Sequence, residues 1–118
     1  YTHHFGDINI DHEITTRAVL TASRPKPNNS IKRILSFEVL SSTEWNPISP
    51  NNFFKPNWFV DITNFLDKKL EAMRAYQSEI CEWPHPRSFE AIENLARYRG
   101  SQNGKKACEA FCLLRNID

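Results

Sequence analysis

The sequence predicts an α/β fold, and three observations carry that prediction. The run from Ile31 to Leu40 is apolar on both faces over its second half, as a strand covered by a layer on each side must be. Stretches with apolar residues at helical spacing precede and follow it, over 11–22, 65–80 and 89–99. The composition is that of one globular domain: 118 residues, 40% hydrophobic, 12% aromatic and 25% charged, which excludes a disordered, collagenous or coiled-coil chain.

The elements follow in chain order. Tyr1 to Asp7 reads as the exit of a strand into a loop. Over 11–22, Ile14, Ala18, Val19 and Ala22 share a helical face, with Thr15, Thr16 and Arg17 largely off it, and Asp11 is placed to cap the helix. Arg24-Pro25-Lys26-Pro27-Asn28-Asn29 stops it, because proline lacks a donor and pushes its predecessor toward extended geometry. The strand of 31–40 ends at Ser41-Ser42-Thr43-Glu44-Trp45, and open α/β sheets hold their ligands beyond the carboxyl ends of strands. Residues 46–58 contain Pro47, Pro50 and Pro56 and read as a long ordered loop anchored by Phe53, Phe54 and Trp58.

A short extended piece, Phe59 to Ile62, leads to Thr63 or Asn64, which caps the most regular helix. That helix carries Phe65, Leu66, Leu70, Met73, Tyr76, Gln77 and Ile80 and is expected to end near Cys81. Trp83-Pro84-His85-Pro86-Arg87 is expected to be a stiff extended connector. Ser88 caps the next helix, with Phe89, Ile92, Leu95, Ala96 and Arg99 in register and Gly100 close to its end. Residues 105–117 fit a helix through Ala107, Phe111 and Leu114 or a buried strand through 110–114, and the strand is preferred.

Charge and cysteine usage narrow the function. Fifteen Lys and Arg against 14 Asp and Glu leave a formal charge of +1, without the basic excess that drives nucleic-acid binding. The apolar runs fall far short of the ~20 residues that cross a bilayer, and no basic-then-apolar leader opens the sequence, so no transmembrane segment and a soluble, cytoplasmic protein are expected. Cys81, Cys108 and Cys112 form no C-x-x-C pair and are expected to be free thiols.

The densest polar cluster is His3, His4, Asp7, Asn9, Asp11 and His12. Imidazole and carboxylate are zinc ligands, yet a helix start with solvated loop residues around it has the same composition. His85 and Arg87 sit between prolines, where Arg87 suits an anionic or hydroxyl-rich ligand or an ion pair with Glu82 or Glu90. Glu44 with Trp45 reads as a sugar-binding pair, carboxylate for hydroxyls and indole for a ring face, or Trp45 is a core plug.

Five segments together resemble the LmbE-like, or PIG-L, de-N-acetylases: Thr2-His3-His4-Phe5-Gly6-Asp7-Ile8-Asn9-Ile10-Asp11-His12, Ser41-Ser42-Thr43-Glu44-Trp45, Pro84-His85-Pro86-Arg87-Ser88, Ala96-Arg97-Tyr98-Arg99-Gly100-Ser101 and Glu109-Ala110-Phe111. The resemblance spans essentially the whole chain. It implies a Rossmann-like α/β fold and zinc-dependent removal of the N-acetyl group from an N-acetylglucosamine-type amino sugar conjugate. It also implies that His12 is the metal ligand of an H-x-D-H-type motif. The other two ligands and the general base of such enzymes come from an H-P-D-D motif, which no part of these 118 residues matches.

Residues 1–118 are therefore expected to be the C-terminal part of a single deacetylase domain, inactive alone and able to self-associate through an exposed sheet edge. In the motif itself Asn9 stands where many members have histidine. Asn9 donates a hydrogen bond but transfers no proton, so His85 or His4 is the expected substitute. Asp11 is expected to orient a loop group or cap the helix, and His4, Asp7, Ser42, Thr43, Glu44 and Arg87 to contact substrate. The competing expectation is a stand-alone, non-catalytic sugar-binding or assembly module.

Overall fold

The computed structural model describes residues 1–27, 30–47 and 52–118. Its elements are β1 (Thr2–His3), α1 (Ile10–Ala22), β2 (Arg33–Phe37), a 3₁₀ turn (Thr43–Trp45), β3 (Trp58–Asp61), α2 (Leu66–Arg74), α3 (Phe89–Ser101) and β4 (Cys108–Asn116). The expected α/β class holds in the form of a mixed four-stranded sheet, in the order β1-β2-β4-β3, with three α-helices among the described residues. β1 runs parallel to β2, and β2 antiparallel to β4. The chain divides into two units, residues 1–58 with 111–118, and residues 59–110.

In the first unit, β2 is covered on both faces: Ile34, Leu35 and Ser36 in succession are buried, which is the burial the two-faced apolar pattern calls for. Between Ile34 and Leu35 the partner on β4 jumps from Arg115 to Leu113, so Leu114 is the extra residue of a bulge. Phe111 is buried and its ring meets Tyr1 at 5.4 Å.

α1 packs on β1, but with a face other than the apolar one. Ile10 and Ile14 are 68% and 57% exposed, while Thr16 and Ser23 are buried and His12 and Val19 half-buried. The inward stripe is thus 12, 16, 19 and 23, and a hydrogen bond explains the choice. The Thr16 hydroxyl reaches the His3 carbonyl of β1 at 2.8 Å and the His12 carbonyl of its own helix at 2.9 Å. The cap is also corrected, from Asp11 to Asn9, whose side-chain oxygen accepts from the Asp11 amide at 3.0 Å.

Of the long loop, residues 48–51, Pro50 among them, lie outside the described residues, as do Asn28 and Asn29 of the earlier turn. Phe54 packs edge-on against His4 with ring centres 5.3 Å apart, and Trp58 lies under the Arg33 guanidinium, whereas Phe53 stays exposed. Gly6 is required where it stands: a side-chain carbon there would lie 2.2 Å from the Asn52 carbonyl oxygen.

The second unit builds its core from Ile62, Ala96 and Ala107, with Leu66 packed against them. Ser88 caps α3 as expected, accepting from the Ala91 amide at 3.1 Å, and Ile92, Ala96 and Gly100 form the buried stripe. Gly100 has no room for a side chain, because a carbon there would meet the Ala107 nitrogen and Lys105 oxygen at 2.7 Å. The tail is a strand, with Cys108 and Ala110 buried.

α2 is shorter than its apolar spacing predicts. It starts after Phe65 rather than at Thr63 or Asn64, and it ends at Arg74. The amides of Ala75 and Tyr76 bond the carbonyls three residues back, at 3.2 and 3.0 Å, which closes the helix in tight turns and leaves Tyr76 exposed. The connector of 83–87 is folded rather than extended, because the His85 amide bonds the Glu82 carbonyl at 3.0 Å and the Ser88 amide bonds the His85 carbonyl at 2.9 Å. Beside it Arg74, Gln77, Ile80 and Phe89 line an open groove of about 260 Å³. No helix among the described residues is long and apolar enough to cross a membrane.

Candidate functional site

The site forms in the first unit, where the loop leaving β1 turns into α1 beside the loop leaving β2. Asp7 is its centre. The Asp7 side chain is wholly shielded from solvent and accepts four hydrogen bonds. Oδ1 takes the Ser42 hydroxyl and the Asn9 amide, the latter at 2.8 Å. Oδ2 takes the Thr43 hydroxyl at 2.8 Å and faces His12 Nδ1 at 3.1 Å. An ionised carboxylate has about four lone-pair sites, and all are used. Burial pushes the Asp7 carboxyl upward, but the bonds from Ser42, Asn9, His12 and Thr43 outweigh it and hold it below the usual aspartate range.

The β2 loop is itself clamped. Both Glu44 oxygens turn back on the backbone, accepting from the Ser41 amide at 2.5 Å and the Ser42 amide at 3.3 Å. The Thr43 amide bonds the Val39 carbonyl at 2.9 Å, and its hydroxyl accepts from the Val39 amide at 2.8 Å. Ser41 sits at φ +65°, a left-handed conformation that a non-glycine residue adopts only where its surroundings enforce it.

His12 is 17% exposed at its side chain. Its Nδ1 faces Asp7 and, at 3.4 Å, the Ser42 oxygen. Nε2 makes no hydrogen bond among the described residues and is not one of the buried unpartnered atoms, so it opens to solvent. The His3 ring stacks on it, with centres 4.0 Å apart and planes 17° apart. Burial, reinforced by the His12 ring, pushes the His3 imidazole below its usual value, against the pull of Asp7. Stacked rings direct their nitrogens along parallel planes, so His3 and His12 do not converge on one metal with bonds of about 2.1 Å. Among the described residues, no group of three or more His, Cys, Asp and Glu side chains is arranged to hold a metal ion.

Asp7, Ser42 and His12 have the composition of a catalytic triad but not its order. The Ser42 proton goes to the carboxylate and not to the imidazole, and Ser42 is buried, so its oxygen is no nucleophile here.

The structure redistributes the expected roles. His12, Asp7, Ser42 and Thr43 come together, but Asp7 and Ser42 are buried and spent on each other rather than turned toward a substrate. Asn9 turns its oxygen onto the Asp11 amide, and Asp11 lies exposed in the first turn of α1. His4 is 2% exposed, with Nε2 at 3.0 Å from the Asn52 carbonyl and Phe5 and Phe54 against its ring, so it offers nothing to a ligand. Trp45 is 51% exposed, which removes the core-plug reading.

His85 and Arg87 belong to the second unit, where His85 Nδ1 accepts from the Arg87 amide at 3.0 Å. Arg87 pairs with Glu79. Cys81, Cys108 and Cys112 are in no disulfide, and burial raises the Cys108 thiol.

No family model, curated protein or solved structure matches this chain.

One residue that matters here stands outside the expected polar cluster: Thr16, one helical turn after His12, seats α1 on β1, while His3, a member of that cluster, backs the His12 ring. The i, i+4 spacing of His12 and Thr16 is the one local signal that marks them as sharing a face.

Proposed function

We propose that this chain is the His12-bearing part of an LmbE-like, Rossmann-like zinc hydrolase that removes the N-acetyl group from an N-acetylglucosamine-type amino sugar conjugate. What supports the reading is one observation: His12, at the ligand position of the Asn9-x-Asp11-His12 motif, is gripped at Nδ1 by a buried carboxylate and turns Nε2 outward. A histidine with its second nitrogen on a carboxylate is the usual setting of a zinc ligand. On this reading the other two ligands and the general base belong to an H-P-D-D segment outside these 118 residues. Bound zinc supplies Lewis-acid polarisation of the amide carbonyl and activation of water.

This chain's own residues then hold and orient. His12 is the ligand, and the β2 loop presents Trp45 as a face for the apolar side of a sugar ring. Glu44 shapes that loop through the Ser41 and Ser42 amides.

The test is acetate release from N-acetylglucosaminyl conjugates by the full-length protein, with elemental analysis, for wild type and His12→Ala. The expected result is loss of zinc and a fall in kcat/KM larger than the ~10–100-fold that outer-shell changes cost. Unchanged zinc and activity in His12→Ala overturn the reading. Sugar binding without any acetate release makes the protein a binding module instead. Stoichiometric zinc on the 118-residue chain alone overturns the divided ligand set.

A further inference from the structure

We infer that Asp7 is a positioning residue that sets the tautomer of His12, placing the ring proton on Nδ1 and leaving Nε2 as a bare lone pair facing out. Its use as a metal ligand rests on the function proposed above, but the tautomer does not.

The inference follows from a count of donors and acceptors. Oδ2 of Asp7, 3.1 Å from Nδ1, is an acceptor, since both oxygens of this buried carboxylate already take donors, the Asn9 amide and Ser42 hydroxyl on Oδ1 and the Thr43 hydroxyl on Oδ2. The other neighbour of Nδ1 is the Ser42 oxygen at 3.4 Å. Its single proton is already given to Asp7 Oδ1, so toward His12 it too is an acceptor. Among the described residues, every neighbour of Nδ1 therefore asks for a proton and none offers one. A neutral ring has one N–H, and it goes where acceptors surround it. Nε2, with no partner among the described residues, keeps the lone pair.

The carboxylate has no freedom to do otherwise. Three donors besides His12 pin it: the Asn9 amide from its own loop, and the Ser42 and Thr43 hydroxyls from a loop 35 and 36 residues away. Glu44 fixes that second loop through its backbone. The proton on His12 is thus decided by residues that do not touch Nε2.

Asp7→Asn is the sharp perturbation because it keeps the shape and changes the donors. The Asn9 amide can only donate, so the new side chain keeps its oxygen there and turns its NH₂ toward Thr43 and His12. The Thr43 oxygen can accept. His12 Nδ1 must then give up its proton and accept, which moves the proton to Nε2.

The experiment is a long-range ¹H–¹⁵N correlation spectrum of the histidine rings in the full 118-residue chain, at a pH where the rings are neutral. In wild type, His12 is expected to show a pyrrole-type Nδ1 and a pyridine-type Nε2. Asp7→Asn is expected to exchange the two patterns, and Ser42→Ala, which removes a donor to Asp7 and the more distant acceptor facing His12 but leaves the Asp7 carboxylate at Nδ1, is expected to leave them in place. A purely structural role for Asp7 would not exchange them.

A wild-type His12 protonated at Nε2 overturns the inference, as does a folded Asp7→Asn chain that keeps the proton on Nδ1. If Asp7→Asn does not fold, the wild-type spectrum alone decides. In the full-length protein, Asp7→Asn is further expected to weaken zinc binding by about 10–100-fold, read by competition with a chelator. The expected tautomers together with zinc-independent activity would refute the proposed function and leave this inference standing.

Discussion

Replacing Thr16 by valine tests how α1, and with it His12, is seated. Thr16 is fully buried, and its hydroxyl oxygen lies 2.8 and 2.9 Å from the His3 and His12 carbonyl oxygens, which share its one proton. The His12 carbonyl also lies within the regular hydrogen bonding of α1, whereas the His3 carbonyl loses the bond that ties β1 to the helix. Valine keeps the branched shape and adds a methyl where the oxygen was. A buried acceptor stripped of its partner costs about 1–3 kcal/mol, and the extra apolar burial offsets part of that. A net loss of about 1–2 kcal/mol is expected.

For a chain of 118 residues the unfolding entropy is about 0.25 kcal/mol/K, so the melting temperature should fall by about 4–8 °C. Calorimetry measures the shift, and the ¹³C resonance of the His3 carbonyl should move to the position of an unbonded group. The His12 ring resonances should move with it, because the stack on His3 depends on the same seating. A Thr16→Val chain within about 0.5 kcal/mol of wild type, with an unshifted His3 carbonyl, would refute the claim that this hydroxyl selects the inward face of α1.

Two further outcomes are expected. Gly6→Ala puts a carbon 2.2 Å from the Asn52 oxygen, so the backbone must part; chemical denaturation should show a loss of about 1–3 kcal/mol, and the His4–Asn52 bond should open. Stability should fall as the solution is acidified, because two groups are pushed down by folding. His3 is held below its ordinary 6.5, so the unfolded chain takes up the proton first and stability declines as pH drops beneath that value. Asp7 is held below its ordinary 3.8, so its share is present above that pH and is lost as pH falls through the depressed value. Urea melts between pH 7.5 and 3 measure the profile, and His3→Gln should flatten its upper part. A profile that stays level in wild type below pH 6.5 would contradict the His3 environment.

The local part of the fold is legible in the order of residues alone. Ser88 followed by Phe89, Ile92 and Ala96 specifies α3 because a cap and a 3.6-residue period are properties of neighbours in the chain. The two-faced apolar run at β2 and the buried-strand pattern before Leu114 are legible for the same reason. Tertiary contacts decided the rest. The apolar period of α1 selects Ile14 and Ala18, yet the helix turns His12 and Thr16 inward, because a hydroxyl bond to β1 lies on that side and periodicity carries no information about hydrogen-bond partners.

The candidate site divides in the same way. His12 was legible as a chemical group in a polar cluster, and Asp7, Ser42 and Thr43 were legible as polar residues, but their roles were not. A carboxylate becomes a positioning group only when it is buried and its lone pairs are filled, and here two of its four donors arrive from a loop 35 and 36 residues further along the chain. Composition and spacing fix which side chains can accept or donate. Only the closed structure fixes which of them are left with a free lone pair.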